Sequence, residues 1–382
     1  MENQSNYIKL IEEEEPPATE FLQNYWKTIE ELPDSLQFLR GHRIESLSSN
    51  KSYLLARFTK LNEKDVVAKI DLDAFDIEFC GKPFSLTERE FQVLSNLKNL
   101  EISPKLISFH ESVDEQFPSV LLTSLEGIGN NLHEQPVQEW WEEYKDDLIK
   151  NLCKLHGEDA QSGLSKGFDI KDWFNDFIFG EENIAEFLLE PHTTEDMFDF
   201  LDKLKLVCNN IIDELDENNF VLCHNNLCKS SVLHNPNTES KFKFINFHKS
   251  IIGPPELDIH SVYHRLGLED YNTRSGGVVN TLSDLERLYF KYSGYKPSFS
   301  NDFRFLNTVQ RIMALLFENN MPPMVLYQSN LNLKYAKRKT EFSFLKRRLY
   351  SIIIDKSFSY HNNFSDYALG KKMPFTDLIL YG

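Results

Sequence analysis

Residues 220–260 read FVLCHNNLCKSSVLHNPNTESKFKFINFHKSIIGPPELDIH, and the pattern in this stretch decides how the rest of the chain is read. Phe220, Val221 and Leu222 form an apolar run that enters a polar loop, and Val232 and Leu233 continue beyond it. After turn-forming residues from Asn235 to Ser240, Phe242 to Phe247 alternates as a short strand does. The segment is predicted to run strand, loop, strand, turn, strand.

The loop and the last strand resemble segments of the aminoglycoside phosphotransferase and choline kinase family, a branch of the protein-kinase-like fold. In that family the loop reads His-Gly-Asp-Leu-His-x-x-Asn and the later strand ends Ile-Asp-Phe. Here the loop is His224-Asn225-Asn226-Leu227-Cys228-Lys229-Ser230-Ser231 and the strand ends Ile245-Asn246-Phe247. The resemblance implies that Asn226 stands where the family has its catalytic Asp, Ser231 where it has a metal-binding Asn, and Asn246 where it has a metal-binding Asp. In phosphoryl transfer of this type a carboxylate orients and deprotonates the attacking hydroxyl, and metal ions neutralise the phosphates. An amide cannot take up that proton. Losing a positioned general base costs roughly 100- to 10,000-fold in rate, and removing anionic ligands separately weakens a hard cation's site. The expectation is a catalytically degenerate member that has no metal site in these residues.

Upstream, the resemblance continues in order. Arg43 to Phe58 reads as strand, polar loop, strand, and its turn Ser48-Ser49-Asn50-Lys51-Ser52 stands where kinase-like folds cover the ATP phosphates. That turn has no glycine to permit close backbone approach, so an ordinary hairpin and a phosphate loop stay open as readings. Asp65 to Ile70 is an apolar strand with Lys69 inside it; a strand lysine is usually solvent-facing, but the resemblance implies one that contacts phosphates. The segment Thr87 to Leu97 is predicted as a helix capped by Thr87, and the resemblance implies that its Glu90, with Glu88 as competitor, pairs with Lys69. Lys69 and Glu90 are thus the candidate cofactor-binding residues. ATP is the candidate cofactor, and the substitutions count against magnesium.

Ile102 to Phe109 and Ser119 to Gly127 read as two further strands, with a lobe boundary near Gly127 to Asn131. Val137 to His156 places Trp140, Trp141, Tyr144, Leu148, Leu152 and Leu155 on one side of a helix. Its end, Leu152-Cys153-Lys154-Leu155-His156, resembles the family's Leu-x-x-Leu-His, with His156 read as a packing and hydrogen-bonding residue. Phe168 to Phe177, Glu182 to Leu189 and Thr194 to Leu215 read as more helices, with Trp173, Phe174, Phe177 and Phe187 as core. Cys223, His224, Cys228 and His234 match no zinc spacing, and His224 is read as a brace for the loop. Gly253-Pro254-Pro255-Glu256-Leu257-Asp258 resembles the family's Gly-Asp-Pro-x-x-Asp, which implies that Asp258 orients the large lobe. Leu282 to Tyr292 and Asp302 to Glu318 close the pattern as helices.

Composition sets the outer limits. The 382 residues carry a formal net charge of -18, which disfavours nucleic acid as a partner and suits a cationic ligand or a basic protein. Five scattered cysteines fit reduced thiols, and the acidic N-terminus and the lack of a long apolar run give a cytoplasmic location with no membrane as the default. The basic cluster from Lys334 to Arg348 either binds an anionic partner or, the preferred reading, lies against the protein's own acidic surface.

The predicted fold class is α+β: a two-lobed protein-kinase-like fold with a small antiparallel-sheet lobe and a larger, mainly helical lobe. The expected divisions are an acidic flexible tail over 1–20, an N-terminal lobe over 21–128, a helical C-terminal lobe over 129–330 and a C-terminal extension over 331–382. The functional expectation is a pseudokinase that binds or scaffolds an unidentified protein partner or small-molecule ligand. The alternative is an unorthodox ATP-dependent phosphotransferase for a small hydroxyl or amine substrate, with Glu256, Asp258 or a carboxylate of the helical insert in the base or metal role.

Overall fold

The computed structural model describes residues 34–39, 43–49, 53–60, 64–71, 78–79, 82–83, 85–111, 119–124, 129–132, 135–164, 167–180, 195–276, 279–300, 302–307 and 309–310. The acidic tail, residues 50–52 of the polar turn, residues 127–128 of the expected lobe boundary, the helix expected over 182–189 and the basic cluster lie outside the described residues.

Five strands form one antiparallel sheet: β1 (Arg43–Ser49), β2 (Tyr53–Thr59), β3 (Val66–Asp71), β6 (Leu106–His110) and β7 (Val120–Ser124), in the order β1-β2-β3-β7-β6. A two-residue ladder, β4 (Glu78–Phe79) with β5 (Lys82–Pro83), stands apart from it. β3 is central and buried along its whole length, so Lys69 sits between Leu55 of β2 and Leu121 of β7 with no solvent-facing side.

Helix α1 (Leu86–Leu97) follows, and its cap differs from the expected Thr87. Ser85 caps the helix by accepting from the Glu88 N–H at 3.0 Å, while the Thr87 hydroxyl, fully buried, donates to Asp71 at 2.8 Å. A side chain at the second helical position faces the end of β3 here, so it serves the sheet and not the helix terminus.

Beyond Gly129 the chain enters the helical lobe. A Cβ at Gly129 would stand 1.9 Å from the His234 carbonyl oxygen, so only glycine allows this close approach. It leads β8 (Asn130–Asn131) onto β10 (Val232–His234), which also pairs with β11 (Phe242–Phe244), while β9 (Val221–Cys223) pairs with β12 (Ile251–Gly253). Helices α2 (Val137–Leu155), α3 (Glu195–Asp213), α4 (Glu256–Arg265) and α5 (Thr281–Ser293) supply the main helical mass of this lobe. Residues 170–172 are helical and 173–178 form a π-helical turn, where the sequence pattern predicts one continuous helix.

One core runs through both lobes. Val93, Leu94 and Leu97 of α1 and Leu121 of β7 join Trp140, Trp141, Leu148 and Leu152 of α2 and Phe242, Phe244 and Phe247. The strand predicted over Phe242 to Phe247 ends at Phe244. Asn246 takes a left-handed conformation at φ 67°, which breaks the pleat and starts a 3-10 turn over Phe247–Lys249.

Candidate functional site

The first half of the site is a buried cluster between the lobes. Lys69 of β3 donates to Glu90 Oε2 of α1 at 2.6 Å, and the two side chains are only 5% and 8% exposed. Glu90 is therefore the partner, and Glu88 is instead bonded to Gln92 on the outer face of α1. The other oxygen of Glu90 accepts from the Phe247 N–H at 3.1 Å, so one carboxylate ties β3 to the segment that carries Asn246. Lys69 also lies 2.9 Å from His248 Nδ1 and 4.4 Å from the centre of the Tyr53 ring. Burial and then the Lys69 charge hold the pKa of His248 well below the usual imidazole range, so its ring is neutral and Nδ1 accepts from the ammonium.

Arg89, adjacent to Glu90, fixes this geometry. Its guanidinium donates to the carbonyls of Gly167 (2.8 Å), Ser250 (2.7 Å) and His248 (3.2 Å) and lies 4.2 Å from the centre of the Phe168 ring. It thereby clamps α1 of the small lobe to residues 247–253 of the large one. Neither Arg89 nor His248 stands out in the sequence, because an arginine in a helix and a histidine in a loop are ordinary there. The one signal is their place in the sequence, Arg89 next to Glu90 and His248 two residues after Asn246.

The second half is the loop 224–231. Its underside rests on Asp258, which is completely buried near the start of α4. Asp258 accepts from the backbone N–H groups of His224 (2.6 Å) and Asn225 (2.8 Å) and from His156 Nε2 (3.1 Å). That contact needs a proton on Nε2, and Nδ1 lies 2.6 Å from the Tyr289 hydroxyl. His224 bonds the Ile245 carbonyl through Nε2 at 2.8 Å, as a brace should. Asn225 adopts φ 61°, a conformation that glycine takes freely and asparagine tolerates. Its amide donates to the Lys249 carbonyl at 3.0 Å and accepts from Gln310 at 2.6 Å, which rivets the loop to its surroundings.

The cleft-side positions differ. Asn226 accepts a hydrogen bond from Arg265 at 2.9 Å through its side-chain oxygen. Ser231 is 1% exposed; its hydroxyl accepts from the Cys228 N–H at 2.8 Å and reaches the carbonyl oxygens of Asn226 (2.9 Å) and Cys228 (3.1 Å). It closes the loop on itself. Asn246 is half-buried and its side chain makes no capping bond to the turn that follows. Beside them, burial pushes the Cys228 thiol up, but the Arg265 charge and the Ser230 and Ser231 hydroxyls outweigh it and bring its pKa to about 7.

The donors at 226, 231 and 246 do not fit magnesium, which needs anionic oxygen ligands; two amides and a self-bonded hydroxyl supply no negative charge. Among the described residues, His156, Cys223 and Asp258 bring ligand-type atoms within 4.8 Å of one another. Their atoms are already engaged: Asp258 as above, and the Cys223 thiol with the carbonyls of Gly253 (3.5 Å) and Pro254 (3.3 Å).

No protein-family profile matches the chain, and no curated relative matches it by sequence. Solved structures do resemble it. Choline kinase LicA from Streptococcus pneumoniae superposes with a TM-score of 0.54 at 12% identity, covering 86% of this chain and 99% of that one. A protein from Ralstonia eutropha JMP134, provisionally assigned as an aminoglycoside phosphotransferase, gives 0.53 at 17% identity, covering 84% of this chain and 94% of that one. The chain therefore has the two-lobed, kinase-like α+β fold that these proteins share.

Proposed function

We propose that the protein is a pseudokinase: a kinase-fold chain that binds or scaffolds and transfers little or no phosphoryl group. The observation that carries this reading is the state of the three positions implied to hold base and metal. Asn226 is oriented by Arg265, Ser231 is turned into its own loop, and Asn246 stands where an anionic ligand is required. Each change removes a negative charge or a ligand that phosphoryl transfer needs, and together they leave no carboxylate at these three positions to accept a proton from an attacking hydroxyl. The neighbouring carboxylates are held elsewhere. Asp258 faces the loop backbone, and Glu256, 1% exposed, accepts from the Tyr295 hydroxyl at 2.8 Å and the Ser298 N–H at 3.0 Å.

Its ligand is then a protein partner or a small molecule, and the net charge of -18 favours a basic or cationic one. Cys153, Cys208, Cys223 and Cys228 are thiols, which suits a cytoplasmic setting. The test is a transfer assay of the purified chain with ATP, magnesium or manganese and a panel of small alcohols and amines. No transfer above the protein-free rate is expected. Metal-dependent turnover that disappears in Lys69→Ala would overturn the proposal.

A further inference from the structure

We propose that His248 is the residue that keeps nucleotide out of this cleft, by occupying the lysine that a phosphate would need. The inference deepens the pseudokinase reading and rests on it for the identity of the cleft.

An ammonium has three N–H donors. At Lys69 one goes to Glu90 Oε2 at 2.6 Å and a second to His248 Nδ1 at 2.9 Å, while the Tyr53 ring covers a further side with its centre 4.4 Å from Nζ. A phosphate oxygen approaching Lys69 would have to displace a neutral imidazole that is itself 6% exposed. That imidazole is held from several directions. The His248 carbonyl accepts from Arg89, the preceding Phe247 N–H donates to Glu90, and its ring faces Tyr53 with centroids 6.0 Å apart. The Lys69 and Glu90 pair expected of an active kinase fold is thus formed, but its lysine is closed off by the chain's own side chain. Formation of this ion pair is therefore no sign of nucleotide binding here.

The experiment is calorimetric titration of the full chain with ATP, with and without magnesium, in four forms. The wild-type chain and His248→Asn, whose side-chain oxygen can replace Nδ1 as acceptor, are expected to bind weakly and alike. His248→Ala is expected to bind at least tenfold more tightly, and the gain is expected to vanish in His248→Ala with Lys69→Ala. Equal affinity of His248→Ala and the wild-type chain would overturn the proposal, as would Lys69-dependent micromolar binding by the wild-type chain.

A measurement without mutation guards against a variant that does not fold. In the native chain, amine-labelling followed by mass spectrometry is expected to modify Lys69 at least 100-fold more slowly than the exposed Lys98 and Lys105. Labelling of Lys69 at their rate would mean that the ammonium is open and the proposal wrong. Phosphoryl transfer by the wild-type chain would overturn the pseudokinase reading instead, and the affinity ratio would still decide the role of His248.

Discussion

The loop 224–231 has two sides that differ in what their polar groups do. On the underside, Tyr289, His156, Asp258 and the backbone of His224 form a chain of hydrogen bonds among four buried residues. On the cleft side, Asn226 bonds Arg265, Ser231 bonds its own loop and Asn246 makes no capping bond, so none of the three side chains joins that buried network. The difference separates two demands that one motif normally meets together. Holding the loop in place takes a buried carboxylate with several donors; moving a phosphoryl group takes carboxylates that face the cleft. The first demand is met here, and the pseudokinase we propose does without the second.

Removing the underside carboxylate should therefore be the most damaging change. Asp258→Ala strands two backbone N–H groups and the His156 ring in a dry interior, at a cost of about 3–5 kcal/mol. Asn226→Ala, on the cleft side, gives up one bond to a half-buried arginine and should cost about 1 kcal/mol or less. Urea unfolding of both variants checks the contrast. Similar losses for the two would mean that the loop's sides are equally structural.

The clamp between the lobes comes next. Arg89→Ala leaves three carbonyls without their charged donor and should cost about 2–4 kcal/mol. Hydrogen exchange at residues 247–253 should rise with it, because that segment is what the guanidinium holds. Unchanged exchange there would assign the stability of the lobe contact to the apolar core instead.

Acid sensitivity follows from the buried imidazoles. Burial is the first cause that lowers the pKa values of His224, His234, His248 and His260, the last to about 3 with His264 adding to the effect. Such a histidine stays neutral in the folded chain while the unfolded chain takes a proton near pH 6.5. Its contribution is complete above that pH and is lost as pH falls toward the folded value. Each one adds a slope of about 1.4 kcal/mol per pH unit in that window. His260 packs against Phe299 with ring centroids 4.9 Å apart, so His260→Phe keeps an aromatic contact there and should remove one such slope between pH 6 and 4. A slope unchanged by the substitution would show that His260 is solvated.

Much of this arrangement is legible in the chain, and the parts that are not share a cause. Short apolar runs give β3, β9 and β10, and the apolar side of Val137 to His156 gives α2, because these patterns report burial directly. The lysine strand and the glutamate helix are found by order along the chain, yet choosing Glu90 over Glu88 takes the geometry of the contact. Arg89, His248, Arg265 and Gln310 act through partners from 39 to 179 positions away, a distance over which no local pattern carries information. The end of β11 at Phe244 is missed because Phe247 continues the alternation, while the break lies in the backbone of Asn246.

The smallest effect expected is also the sharpest test of the comparison. Asn226→Asp together with Asn246→Asp introduces two carboxylates with little steric change. Asp at 226 would still meet Arg265, and Asp tolerates the left-handed backbone at 246. If the cleft lacked only its charges, metal-dependent ATP binding should return. With Lys69 already held by Glu90 and His248, we expect the double variant to bind ATP within twofold of the wild-type chain and to gain magnesium dependence only when His248→Ala is added. A tenfold gain in the double variant alone would place the whole loss at positions 226 and 246, and would mean that the neutral imidazole yields readily to a phosphate.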